Sequence, residues 1–192
     1  MAKTATEARR EAAERKKEAA ARERLKEAAR RQIRTLGDPV LREKAAPVTE
    51  FDERLEQLAD RMIAIMRDAP GIGLAAPQLG VVRRLLVYQV EGAQPHALVN
   101  PEVVWRSEET DIHDEGCLSV PDVVVPIERA LRIRVRAQDL HGEPLDYEAE
   151  EMEARVIQHE SDHLDGVLIL DRTSRRERAR ALRELREADA LL

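Results

Sequence analysis

The stretch Gln158-His159-Glu160-Ser161-Asp162-His163-Leu164-Asp165-Gly166 decides how the rest of the chain is read. On a helix, residues four apart lie one above the other on the same face, so His159 and His163 can offer two imidazole nitrogens to one metal ion. Glu160 then stands beside the ion, where a carboxylate can hydrogen-bond a water and move its protons, as in a metal-assisted hydrolase. Gly166, following Asp165, fits the position just past a helix end. A solvated helix terminus is the competing explanation, and it stands until a third ligand is found elsewhere.

The chain's only thiol lies in Glu115-Gly116-Cys117-Leu118-Ser119-Val120-Pro121. Alone, Cys117 reads as a small buried apolar residue. Beside a His-x-x-x-His pair it becomes the third ligand, and one thiolate with two imidazoles leaves an open position, as a catalytic rather than a closed structural site requires. A third stretch, Gly71-Ile72-Gly73-Leu74-Ala75-Ala76-Pro77-Gln78-Leu79-Gly80, is rich in small residues that let a backbone pass close to a strand or a ligand. Its spacing fits neither the dinucleotide nor the phosphate-loop fingerprint. His96, His113 and His141 read as solvated.

At 192 residues the chain suits one domain with extensions. A single cysteine excludes an intramolecular disulfide. No apolar run approaches a membrane span and no secretory-signal core is evident, so the expectation is a soluble cytoplasmic protein. The net charge of -6 conceals an asymmetry: residues 1–34 carry 12 Lys/Arg against 6 Asp/Glu, residues 172–192 carry 7 against 4, and the body carries 13 against 28. Basic arms on an acidic body point to the arms as the parts that would meet a polyanion such as RNA.

Residues 1–32 are nearly all Ala, Glu, Arg and Lys, with pairs such as Glu11/Arg15, Glu18/Arg22 and Glu27/Arg31, and predict a long, largely solvated helical extension. Six acidic residues argue against a transit peptide. Residues 33–171 form the expected catalytic domain, opening at the turn Gly37-Asp38-Pro39. A helix is expected from about Thr49, with Asp52 in the reciprocal position of a capping box and Phe51, Leu55, Leu58, Met62 and Ile65 as its buried stripe. Strands are expected over Val81–Val90, Ala97–Asn100, Val103–Trp105, Leu131–Ala137 and Leu145–Glu150. The mixture favours an α+β fold with mixed or antiparallel sheets packed around the central His159 helix. Residues 172–192 predict a basic helix with a partial apolar line through Leu182 and Leu185.

Taken together, Gly71–Gln78, Glu115–Ser119 and Gln158–Gly166 resemble, complete and in order, the three motifs of the peptide deformylase family, which removes the N-terminal formyl group from nascent polypeptides. The resemblance runs from about Ile33 to Leu170. It implies Cys117, His159 and His163 as metal ligands and Glu160 as general acid/base. It further implies oxyanion donors from the Gln78 amide and the Leu118 backbone N–H, a substrate backbone gripped by Ile72, Gly73 and Gly116, and a side-chain pocket walled by Ile72, Met152 and Val156. Glu115 would support the ligands, held by an arginine for which Arg129 is the candidate.

The implied cofactor is one divalent ion per chain, Fe2+ in the family, while the donor set also accepts Zn2+, Ni2+ or Co2+. The implied partners are a formyl-Met nascent peptide and, through the basic C-terminal helix, the ribosome, with no membrane and no DNA. Many bacterial members carry an arginine shortly after the cysteine motif, where this chain has Val124. Competing readings are a zinc endopeptidase with a different third ligand, a cysteine hydrolase using Cys117 as nucleophile, and a catalytically silent ribosome-associated protein.

Overall fold

The computed structural model describes residues 5–189, and side chains over residues 13–187. Helix α1 (Ala5–Arg30) is exposed along the described part of its length except at its last turn, where Ala29 enters the core beside Ile33. Alanine-rich faces give it little else to bury. The expected Glu27–Arg31 pair forms at 3.7 Å, whereas Glu11 of the Glu11/Arg15 pair lies outside the described side chains.

Helix α2 (Glu53–Asp68) starts later than the capping-box pattern indicates. Asp52 is itself the N-cap, its carboxylate accepting from the backbone N–H groups of Arg54 and Leu55, both at 3.1 Å. An aspartate satisfies the free N–H groups of a first turn as well as threonine does, so Thr49 is left outside. Leu55, Ala59, Met62, Ile65 and Met66 form its buried face, with Phe51 and Leu58 at the margin.

The strands among the described residues are β1 (Gly73–Ala75), β2 (Leu85–Tyr88), β3 (His96–Arg106), β4 (Thr110–Cys117), β5 (Val120–Ala130), β6 (Arg132–Gln138) and β7 (Pro144–Glu150). They make an antiparallel five-stranded sheet in the order β1-β2-β3-β6-β7 and a separate β4-β5 hairpin. The expected Val81–Val90 strand is shortened to Leu85–Tyr88. Gly80 takes a left-handed conformation, and the Val81 N–H closes the preceding 3-10 turn on Ala76, so the chain is not extended until Leu85. Conversely, the two pieces expected at Ala97–Asn100 and Val103–Trp105 are one strand, with register irregularities on either side of Val103 and a proline, Pro101, within it.

Helices cover both faces of the β1-β2 end of the sheet. Leu85 and Val87 join α2 in one core cluster, while Leu86 and Tyr88 join the other. That second cluster is shared with helix α3 (Glu151–Leu164), through Ala154, Val156, Ile157 and Leu164. Burial on both faces is why β2 reads as a continuous apolar run. Strand β6 alternates strictly, with Ile133, Val135 and Ala137 buried and Arg132, Arg134 and Arg136 in solvent. The architecture is thus α+β, with antiparallel sheets around α3.

After α3 come α4 (Ile169–Arg172) and α5 (Arg175–Asp189). The apolar line of α5 is used within the molecule: Ala181 is buried against Val120, Val123, Val125 and Ile127 of β5, with Leu182 and Leu185 packed at the edge. Arg180 donates to the Val124 carbonyl at 2.8 Å. Among the described residues no helix is long and apolar enough to cross a membrane.

Candidate metal centre and active site

Helix α3 is buried over most of its circumference despite carrying Arg155, Gln158, Glu160, Asp162 and His163. Each buried polar group therefore requires a partner or a task. Gln158 ties the helix to the end of β5: its Nε2 donates to the carbonyls of Ala130 and Ala154, both at 3.0 Å, and its Oε1 accepts from the Ala130 N–H at 3.3 Å. Leu164 ends the helix and Gly166 takes φ +73, where a Cβ would lie 2.6 Å from the Arg42 carbonyl oxygen.

With the helix fixed, His159 and His163 lie one turn apart, ring centroids 5.1 Å from each other. The third partner arrives on the β4-β5 hairpin, whose register breaks between Gly116, opposite Val124, and Cys117, opposite Val120, before a two-residue turn through Leu118 and Ser119. Cys117 Sγ reaches to 3.2 Å from His163 Nε2. One ligand atom from each of Cys117, His159 and His163 falls within 4.8 Å of the others. Burial raises the Cys117 pKa, but His163 and His159 outweigh it and hold the thiol well below its ordinary value. The thiolate is the ligand form, and one sulfur with two imidazoles suits a divalent transition metal.

His159 is oriented from behind. Its Nδ1 lies 2.9 Å from Glu115 Oε2, which leaves Nε2 for the centre. Burial alone would raise the Glu115 pKa, but hydrogen bonds from His159 and Arg129 hold the carboxylate down at about 2. Arg129 grips Glu115 with two bonds of 3.0 Å and passes its remaining nitrogen to Asp162 Oδ2 at 2.6 Å. Arg155 adds a bond to Glu115 at 2.8 Å, and Arg172 meets Asp162 at 3.0 Å. Arg129 is thus where the sequence places it, whereas Arg155 and Asp162 were missed. Arg155 lies four residues before His159, a spacing that puts both on one helix face.

Arg129→Met leaves two buried carboxylates short of a partner, and we expect a loss of about 3–5 kcal/mol. Thermal unfolding should register this as a fall of roughly 10 °C. A change within a degree would mean that the network does not hold the fold.

Gln78 sits in the 3-10 turn Ala76–Leu79 with its amide fixed at both ends. Its Oε1 accepts from the Ala75 N–H at 2.8 Å, and its Nε2 donates to Ser119 Oγ at 3.1 Å, 3.9 Å from Cys117 Sγ. The N–H end therefore faces the thiol. Leu118 is the first residue of the hairpin turn, whose own hydrogen bond runs between the turn's end residues, so the Leu118 N–H is not consumed by it.

Glu160 is 4% exposed, and its Oε2 has no hydrogen-bond partner among the described residues. Burial is the largest influence on its pKa. It outweighs the pull of His159 and His163 and leaves the carboxyl at about 7, the range suited to passing protons at neutral pH. The carboxyl lies directly over Gly73, where a Cβ would overlap Oε1 and lie 2.8 Å from Cγ. Gly73 thus has a reason within the chain besides any substrate contact, while a Cβ at Gly116 would find only ordinary contacts at 3.8 Å. Gly73→Ala should displace Glu160 and cost roughly 10²-fold in turnover, the scale of a 1 Å misplacement. Wild-type turnover in that variant would show that the position of Glu160 is not critical.

Gly73, Gln78, Cys117, Leu118, His159 and Glu160 line a cleft of about 630 Å³ between β1, the hairpin and α3, with His163 buried behind it. Ile72 and Met152 stand exposed at its margins, and Val156 is buried in its wall. Of the other histidines, His96, His113 and His141 are all exposed; His113 lies at the cleft and His96 stacks on Tyr88.

Comparison with known proteins decides the family: residues 30–179 match the model for polypeptide deformylase. The chain belongs to the polypeptide deformylase family. Peptide deformylase of Thermotoga neapolitana is 52% identical over 140 residues, covering 73% of this chain and 85% of the relative. That of Acidothermus cellulolyticus is 49% identical over 159 residues, covering 83% and 87%. Among solved structures, peptide deformylase from Thermotoga maritima superimposes with a TM-score of 0.72 at 51% identity, covering 74% of this chain and 96% of that one. The enzyme from Synechococcus elongatus in complex with actinonin gives 0.77 at 40% identity, covering 79% and 85%.

Membership in the deformylases assigns this chain metal-dependent hydrolysis of the N-terminal formyl group of nascent peptides. The endopeptidase, cysteine-hydrolase and silent-protein readings are not favoured, and Cys117, His159 and His163 form a cluster that could hold a metal ion.

Proposed function

We propose that Cys117, His159 and His163 hold the metal of this deformylase, as Fe2+ in the cell, and that Glu160, Gln78 and Leu118 carry out the reaction around it. The observation that carries this reading is the meeting, at one cleft, of the thiol, the His159 imidazole, the tethered amide of Gln78 and the partnerless carboxyl oxygen of Glu160, with the buried His163 imidazole completing the ligand cluster behind them. When bound, a divalent cation supplies Lewis acidity and makes water a nucleophile at neutral pH.

The chain's own residues do the rest. Strand β1 is an edge strand, so the backbone of Ile72 and Gly73 can pair with an extended formyl-Met peptide while Gly116 borders its other side. The methionine side chain then lies among Ile72, Met152 and Val156. Gln78 Nε2 and the Leu118 N–H donate to the formyl oxygen as negative charge develops there. Glu160 takes a proton from the attacking water and delivers it to the amine nitrogen as the C–N bond breaks, releasing formate.

The test is formate release from a formyl-Met peptide by anaerobically prepared, iron-loaded protein. Turnover is expected with formyl-Met peptides and none with acetyl-Met peptides; internal cleavage of unformylated peptides would contradict it.

We place the reaction in the cytoplasm, with the C-terminal helix as a ribosome contact. Arg175, Arg176, Arg183 and Arg186 are exposed on α5, and their charge supports binding to ribosomal RNA. Deleting α5 would uncover β5, so the appropriate test changes these four arginines to glutamate. Co-sedimentation with ribosomes at low salt should fall; unchanged co-sedimentation would count against the contact.

A further inference from the structure

We infer that Arg30 determines substrate preference: its guanidinium receives a carboxylate carried by the peptide downstream of formyl-Met. This inference rests on the deformylase reading above and extends it to the part of the substrate beyond the first residue.

Arg30 is the last residue of α1 and lines the same cleft as Cys117, Gln78 and Glu160. Its backbone does not sit on a fraying end. Ala29 and Ile33, on either side, are buried with α2, and Arg61 donates to Gln32 Oε1 at 3.0 Å. The segment that follows is bonded to the active site itself: the Arg34 N–H donates to the Gln78 carbonyl at 2.7 Å and the Leu36 N–H to that of Ser119 at 2.8 Å. The base of Arg30 is therefore positioned by the residues that position the oxyanion donors.

The neighbouring arginines are engaged: Arg31 pairs with Glu27 at 3.7 Å and Arg34 with Asp38 at 3.6 Å. Arg30 is exposed and, among the described residues, its side chain has no ion-pair or hydrogen-bond partner. Thr35, Ala69, Pro70 and Gly71 line the cleft with it, and the hairpin contributes the exposed acids Asp114 and Asp122 to the same lining. A peptide entering the cleft meets, among the described residues, one unpaired arginine, Arg30, and two hairpin acids. An acidic group on the peptide is repelled from the hairpin and finds its complement at Arg30. An exposed pair of this kind is weak and screened by salt, so the effect belongs in KM and is a matter of a few fold.

The test uses the iron-loaded full chain at low ionic strength with three peptides: formyl-Met-Ala-Ala with a free carboxylate, its C-terminal amide, and formyl-Met-Ala-Glu amide. The wild type should show a KM about two- to fivefold lower for an acidic peptide than for the neutral amide, with kcat similar among them. Which acidic peptide is preferred tells whether a terminal or a side-chain carboxylate is read. Arg30→Ala should bring the KM ratio to about one and Arg30→Glu should invert it, while Arg31→Ala retains it. A wild-type ratio in Arg30→Ala, or its equal loss in Arg31→Ala, would overturn the inference. Failure of the wild type to release formate from any of the three would overturn the deformylase reading and this inference with it.

Discussion

Glu160→Ala should bind one metal ion per chain as the parent does and lose about 10²–10⁴-fold in kcat. The ligand set does not depend on this side chain. Cys117 is placed by the hairpin turn, His159 by Glu115, and His163 by its position one turn along the helix. The carboxyl that is removed makes no hydrogen bond through Oε2 and borders Gly73, so its loss opens space without orphaning a neighbour. Glu160→Gln is the companion variant, because it keeps the packing against Gly73 and removes the proton carrier. Both variants should therefore be metal-loaded and inactive. If metal occupancy falls together with activity, Glu160 is a ligand; if activity survives, another group carries the proton.

Cys117→Ser should lose the metal and, with it, nearly all turnover. Serine is close to cysteine in size, and the position is half-buried in a hairpin turn, so the fold should survive. A hydroxyl is not held ionised as this thiol is by His163 and His159. A neutral oxygen is also a poor replacement for thiolate on a borderline-soft cation. Metal analysis after gel filtration should give well under one ion per chain for the variant and about one for the parent. Full occupancy in Cys117→Ser would mean that a different third ligand completes the centre.

The features legible in the sequence were those in which periodicity or spacing had a single geometric meaning. His159 and His163, four apart, could only share a helix face, and the alternating arginines of β6 could only mark a strand with one wet side. Strand β2 was misjudged in length because it is buried on both faces, where an apolar run carries no boundary signal; Gly80 and the Val81 N–H set its start instead. Strand β4 of the hairpin left no pattern at all. Thr110–Cys117 is largely polar and mostly exposed, so nothing in its order announces a strand.

At the site, the motifs named the ligands but not what holds them. Asp162 lies inside the quoted motif, yet its partner Arg129 is 33 residues away and is brought to it by β5. The need for glycine at position 73 follows only from where α3 carries the carboxyl of Glu160. The basic C-terminal helix read as an extension with a partial apolar line, without showing what that line covers: Ala181, Leu182 and Leu185 pack on β5 and leave charged side chains of both signs outward, among them Arg183, Arg186, Glu184 and Glu187.

X-ray absorption at the metal edge of the loaded protein tests the central claim most directly. The spectrum should fit one sulfur and two imidazole nitrogens, with the sulfur contribution lost in Cys117→Ser. A parent spectrum of nitrogen and oxygen donors alone would contradict the account.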